Sequence, residues 1–395
     1  MGLSQDNLEA AFRRAHALQQ AARWDEAVAL WREVLAREPG SAEARVNLGG
    51  VLIELGAFEA AEAELRQAVA ARPDAAWSHY NLGRLMLLTK RWPEAEAAYR
   101  AALAAAPDDP KARLGLAHAA LAQGDLATGW PLYEARTEIP SQNAPKLDLP
   151  NEWRGEPVAG KRLLVWPEQG FGDQIQFARF APALRDLGAE VTLVAPPPLT
   201  ALFEGLGVAV IEQQAGPMSV PAFDAWTLLL SIPGRLGTTL ETIPQPPYLA
   251  PPVDRAIRWA GQGAGKVGVV WRGRPTGIDA HRSLPGFDAL APLAEAGADL
   301  LDLSDPIGDF ADLAAVISEL DLLVTVDTAA AHLAGAMGKP AFVLLPWFRT
   351  DWRWLEGRAD SPWYPSLRLF RQPAFGQWEP VIAEVAAAYG ARIGG

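Results

Sequence analysis

Residues 46–73, VNLGGVLIELGAFEAAEAELRQAVAARP, and residues 80–107, YNLGRLMLLTKRWPEAEAAYRAALAAAP, align position for position at an offset of 34. The same offset relates Pro39, Pro73 and Pro107, then Ala27, Ala61 and Ala95, then Trp31, Leu65 and Tyr99. Inside each period one helical apolar pattern is followed by a short break and a second pattern, which predicts stacked helix hairpins. Small Gly49, Gly83, Ala61 and Ala95 allow paired helices to approach closely, while Phe58, Leu65, Trp92 and Tyr99 fill the space between units. Each proline stops a second helix, because its ring removes a donor and clashes with the preceding turn. A weaker fourth unit runs from Pro110 through Gly124-Asp125-Leu126 to Tyr133, with Gly129 where earlier units carry alanine.

Over residues 8 to 143 this pattern resembles the tetratricopeptide repeat family, and three prolines at one spacing are not explained by a generic helical bundle. The resemblance implies an α-solenoid of about four repeats across residues 1–143, whose groove holds a peptide of a partner protein or whose faces drive oligomerisation.

Composition narrows the rest. Of 395 residues, 50% are hydrophobic and 21% charged, enough apolar surface to fold throughout. The net charge of -12, without a basic run, excludes a nucleic-acid surface, where clustered Lys and Arg dominate binding. With no cysteine there is no thiol nucleophile, disulfide framework or cysteine-ligated metal. The start, Met1-Gly2-Leu3-Ser4-Gln5-Asp6, has neither the basic nor the apolar segment of a signal peptide. The apolar stretch from Leu320 to Pro346 is interrupted by Asp321, Asp327, His332 and Lys339. A soluble cytoplasmic protein without membrane association is expected.

From Thr137 to Pro157 the text becomes polar and proline-spaced, the character of a linker. Beyond it, strands are predicted at Arg162 to Trp166, Glu190 to Ala195, Val208 to Ile211, Val267 to Trp271, Asp299 to Leu303, Leu322 to Val326 and Ala341 to Leu345. Helical patterns alternate with them, among them Gln174 to Leu187, Phe310 to Glu319 and a helix opened by Asp327-Thr328-Ala329. The proline-rich passage from Pro244 to Pro252 separates two such cycles, so the expectation is two α/β halves with a cleft at the strand carboxyl ends.

The loop Glu168-Gln169-Gly170-Phe171-Gly172-Asp173, followed by Gln176-Phe177-Ala178-Arg179, pairs with Asp327-Thr328 and His332-Leu333-Ala334 before Gly338-Lys339-Pro340. Together these resemble the glycosyltransferases of the heptosyltransferase type, and more closely the bacterial proteins that fuse tetratricopeptide repeats to such a module. The resemblance implies a GT-B fold of two Rossmann-like lobes, residues 144–252 on the acceptor side and residues 253–395 on the nucleotide-sugar side. It makes Asp173 the general base, since inverting transfer needs a carboxylate beside the attacking hydroxyl. Read alone, Asp173 serves equally well as a cap for the helix after it.

The resemblance further places Glu168, Gln169, Gly170, Gly172 and Gln176 on the acceptor side of the cleft. Trp271, Arg272, Arg282, Asp327, Thr328, Ala329 and His332 fall on the donor side, with Arg282 against the donor phosphates and Arg272 sharing that charge. A helix opening at Asp327-Thr328 favours anions there. Two departures stand out: Ala329 replaces a glycine that the heptosyltransferases carry, and Leu300 to Asp309 is short against an excursion that carries donor contacts.

The implied activity is transfer from a CMP-, UDP-, GDP- or ADP-linked sugar to a Ser or Thr hydroxyl of a protein held by the repeats, with flagellin as the acceptor the relatives suggest. Alternatives are transfer to a surface glycan, and a non-catalytic sugar or nucleotide-binding scaffold. His16, His79, His118, His281 and His332 show no paired ligand spacing, so no metal is expected.

Overall fold

The computed structural model describes residues 5–273 and 280–393; part of the loop read from Arg272 to Pro285 therefore lies outside the described residues, as do residues 1–4. The chain divides into two compact units, Met1–Glu138 and Ile139–Gly395.

The first unit is four helix hairpins: α1 (Gln5–Gln20) with α2 (Trp24–Arg37), α3 (Ala42–Glu54) with α4 (Phe58–Ala71), α5 (Ala76–Leu88) with α6 (Trp92–Ala105), and α7 (Pro110–Ala122) with α8 (Leu126–Tyr133). The period is written in the backbone as well as in the side chains. The turn inside each hairpin carries one left-handed residue, at Ala22, Gly56, Lys90 and Gly124, again 34 apart. Glycine adopts this conformation freely, whereas Ala22 and Lys90 pay about 1 kcal/mol each.

Trp31, Leu65 and Tyr99 are buried, as are Ala27, Ala61 and Ala95. A Cβ on Gly49 would lie 2.8 Å from Leu65, and one on Gly115 2.3 Å from the Tyr99 ring, so these glycines are where neighbouring helices touch. Phe58 and Trp92 are only half-buried, at the starts of α4 and α6.

The second unit holds two wholly parallel sheets. Its first part comprises β1 (Arg162–Trp166), α9 (Phe171–Phe177), α10 (Phe180–Asp186), β2 (Glu190–Ala195), α11 (Pro197–Phe203), β3 (Ala209–Glu212), β4 (Ala225–Leu228) and α12 (Ile232–Arg235). The strands run β3-β2-β1-β4.

After α13 (Val253–Arg258) come β5 (Val267–Val270), α14 (Ala291–Glu295), β6 (Leu300–Asp302), α15 (Phe310–Glu319), β7 (Leu322–Val326), α16 (Ala329–Ala336), β8 (Ala341–Leu345), β9 (Leu367–Arg371) and α17 (Glu379–Ile393). Their strand order is β6-β5-β7-β8-β9. Trp378, Val381, Ile382 and Val385 join the core formed with Val267, Val324 and Leu344.

Three local readings are corrected. The stretch taken for a linker is packed: Ala144, Leu147 and Leu149 lie against Leu164, Val194 and Trp226, and the Trp153 amide donates to the Trp226 carbonyl at 2.7 Å. Apolar residues spaced two to four apart do this within otherwise polar text. The helix expected from Gln174 to Leu187 begins earlier, at Phe171, and breaks before Phe180. Pro182 has no N–H to give the carbonyl of Ala178 and its ring crowds that turn. Strands β4 and β9, absent from the sequence reading, complete the two sheets.

Candidate functional site

A cavity of about 850 Å³ opens where β1, β5, β6 and β7 end at their carboxyl termini. Parallel sheets leave this edge free for ligands because the following loops splay apart and helices begin there. Gln169 and Gly170 line it from the β1 loop, Gly172 from the first turn of α9, Arg272 from the β5 loop, and Asp327, Thr328 and Ala329 from the start of α16; Arg282 also lines it. The short segment after β6 forms a wall through Leu303, Pro306, Ile307 and Phe310. Phe310 meets Phe171 edge-to-face, with ring centroids 5.3 Å apart.

Not every expected residue is at this surface. Glu168 is buried, and its Oε1 accepts from the Leu230 amide at 3.1 Å, so it holds backbone. Gln176 is fully buried, and its amide has no hydrogen-bond partner among the described residues. Trp271 donates Nε1–H to Asp302 at 3.1 Å and is not among the residues that line the cavity.

Asp173 and His332 lie behind Gly172. A Cβ at Gly172 would be 3.0 Å from His332 Cδ2 and 3.4 Å from Ala329 Cα, a close approach of α9 to α16 that only glycine permits. Asp173 is the third residue of α9. Its Oδ2 accepts from the Gly170 amide at 3.0 Å, and its Oδ1 lies 2.6 Å from Arg353 Nη2. Arg353 belongs to none of the sequence motifs above. It is buried between the Trp352 and Phe177 rings and pairs with Asp351 through two contacts of 3.0 Å. Burial opposes the ionised form of Asp351, yet the Arg353 charge and amide outweigh it and hold the carboxyl below the usual carboxylate range. The only sequence signal was the arginine and tryptophan crowding after Trp347.

His332 stacks on Trp354, with centroids 5.2 Å apart, and its Nδ1 is 3.0 Å from the Tyr364 hydroxyl. Burial pushes its pKa down from 6.5 to about 4, against the opposing charge of Asp327, so the ring is neutral at pH 7. The native state then binds fewer protons than the unfolded chain between those two values, and stability falls as pH falls through that window. His332 should cost roughly 2 kcal/mol between pH 7 and pH 5. Urea titrations at the two pH values, on the parent and His332→Gln, are expected to show a smaller pH-dependent loss in the variant; equal losses would contradict this.

Two arginines carry the cavity's positive charge. Arg282 is paired with Asp327, a short contact to a buried carboxylate, and Arg272 lies 2.7 Å from Asp305. Thr328 is joined to Thr325 through their hydroxyls at 3.1 Å.

These features define a helical-hairpin repeat array joined to an α/β unit whose two parallel sheets share a cavity at their strand ends. Tetratricopeptide repeat models match residues 18–79, 52–110 and 80–140, so this part of the chain is a tetratricopeptide repeat array. The chain is 30% identical over 318 residues to protein FlbA of Caulobacter vibrioides, a match covering 68% of this chain and 53% of that protein. The chain thus spans about half the length of this curated relative. Because the repeat unit ends at Glu138, a match of that extent takes in part of the second unit. Among solved structures, MamA from Desulfovibrio magneticus is 22% identical, with 35% of this chain and 80% of that chain covered and a TM-score of 0.31. YrrB, described as a TPR protein with an unusual peptide-binding site, is 20% identical, with 32% and 66% covered and a TM-score of 0.29. Among the described residues, no helix is long and apolar enough to cross a membrane.

Proposed function

We propose that the second unit is a GT-B glycosyltransferase, with lobes at residues 144–252 and 253–395, and that the repeats bind its protein acceptor. The observation that carries this reading is the cavity itself: it combines two arginines, the N-terminal end of α16 and an apolar wall, and Asp173 directly follows its lining residue Gly172. A nucleotide sugar needs an apolar face for its base and cations for its phosphate, while the acceptor needs a carboxylate. In the reaction, Asp173 accepts the proton of a Ser or Thr hydroxyl as that oxygen bonds to the anomeric carbon. The bond from that carbon to the phosphate oxygen breaks, and the leaving nucleotide keeps the electron pair beside Arg272 and Arg282. This reading sets the work in the cytoplasm, with flagellin as the first acceptor to examine.

One observation favours a second reading, donor binding without turnover: both oxygens of Asp173 are already engaged, by Arg353 and by the Gly170 amide. Incubating the full chain with flagellin and CMP-, UDP-, GDP- or ADP-linked sugars, followed by intact mass of the acceptor, separates the two. A gain of one or more sugar residues with one donor class is expected. Donor binding without any gain favours the second reading, and neither binding nor gain rejects both.

A further inference from the structure

The two cavity arginines differ in how their partners are held. Asp327 is 5% exposed and Arg282 27%, so replacing that carboxylate on Arg282 would strand a buried charge. Asp305 is 80% exposed and Arg272 33%, and an exposed pair of this kind is weak and easily exchanged. We propose that Asp305 is a resident counter-ion, which the phosphate of an incoming ligand replaces on Arg272, and that Arg282 stays with Asp327. The inference rests on the reading above only for the class of ligand, a phosphate ester, and refines it by dividing the two arginines.

The surroundings fit such an exchange. Arg272 does not depend on Asp305 for its position: its guanidinium lies over the Trp271 ring, 5.2 Å from the centroid. That ring is fixed by the Nε1 bond to Asp302, and the Trp271 amide donates to the Ser304 hydroxyl at 3.1 Å. Asp305 sits on a short span anchored at both ends. Ser304 is held by its bonds to Trp271 and Asp302, and Asp309 caps α15 through the Ala311 and Asp312 amides while pairing with Arg255. Only residues 305–308 lie between these anchors, ending in Gly308 at a φ of 139°. Asp305 can turn outward without disturbing either end. A phosphate offers the guanidinium two oxygens and more charge than a carboxylate, so it wins the shared site when bound.

The test is calorimetric titration of the full chain with inorganic pyrophosphate and with UDP at low salt, on the parent, Asp305→Asn, Arg272→Met and the double variant. Asp305→Asn should tighten pyrophosphate binding about three- to five-fold by removing the competitor. Arg272→Met should weaken it roughly ten-fold or more, and Asp305→Asn should then add nothing. Unchanged or weaker binding in Asp305→Asn overturns the exchange, because Asp305 would then be holding Arg272 in place. So does an equal gain with and without Arg272, which would be a general charge effect, and so does an absence of pyrophosphate binding at millimolar concentration. A chain that binds pyrophosphate in this pattern but transfers no sugar would retain the exchange and lose the transferase reading.

Discussion

Asp173→Asn is expected to lower the rate of sugar transfer by about 10²- to 10⁴-fold while leaving donor affinity close to that of the parent. The size follows from the step assigned to the carboxylate, proton removal from a hydroxyl that is a poor nucleophile until it begins to lose that proton. Asparagine has nearly the same shape and cannot take the proton. Its amide oxygen still accepts from the Gly170 amide, so the first turn of α9 keeps its cap, whereas alanine would lose about 1 kcal/mol there. Donor affinity is spared because the cavity's two arginines, Arg272 and Arg282, are paired with Asp305 and Asp327, not with Asp173. Single-turnover mass measurements beside donor titration give both quantities. A variant that transfers within a few-fold of the parent rate would remove Asp173 from the chemistry and leave it the role its contacts already show, joining α9 to Arg353.

Legibility in the sequence tracked the range of the interaction. The repeats were readable because the same physical demand recurs every 34 residues, down to the left-handed turn positions that side-chain patterns alone do not reveal. Most strands were readable as apolar runs between turn residues. Strand β9 was not, since Leu367–Arg371 reads Leu-Arg-Leu-Phe-Arg, neither a continuous apolar run nor a strict alternation, in a stretch crowded with arginine and tryptophan.

At the cavity, residues in the loops after β1, β5 and β7 came together as read, because a strand end fixes where its loop goes. Glu168 and Gln176, which the resemblance places at the cleft, are turned by side-chain direction into the interior. Arg353, Asp351 and Tyr364 have no sequence signal beyond the arginine and tryptophan crowding after Trp347. Asp173 precedes Arg353 by 180 residues and His332 precedes Tyr364 by 32, and such pairings leave no local pattern; Asp351 enters the site only through Arg353.

Arg179 is the second residue whose loss should matter most, and its effect should be on folding. Read only as the last residue of a motif, it is a buried cation whose hydrogen bonds, among the described residues, go to no carboxylate. Its guanidinium donates to the carbonyls of Gln176 at 2.8 Å, Pro244 at 3.0 Å and Trp363 at 2.9 Å, and to the Tyr248 hydroxyl at 3.2 Å. The rings of Tyr248, Trp363 and Tyr364 surround it within 5.4 Å. One side chain therefore ties α9, the passage before α13 and the loop before β9. Arg179→Met preserves length and apolar packing but takes this donor from the Pro244 and Trp363 carbonyls, each loss costing about 1–3 kcal/mol, while the Gln176 carbonyl keeps the Tyr248 hydroxyl at 3.3 Å. A loss of roughly 3–5 kcal/mol in the second unit is expected, read as an earlier urea transition of that unit beside an unmoved one for the repeats. Lysine should restore only part, because a single ammonium cannot span the same acceptors. The Tyr364 ring lies 4.7 Å from this guanidinium, and its hydroxyl meets His332 on α16, so the variant should also loosen the cavity wall. A loss under 1 kcal/mol would mean that water replaces the guanidinium at those carbonyls, and that the aromatic enclosure, not the charge, holds the three segments together.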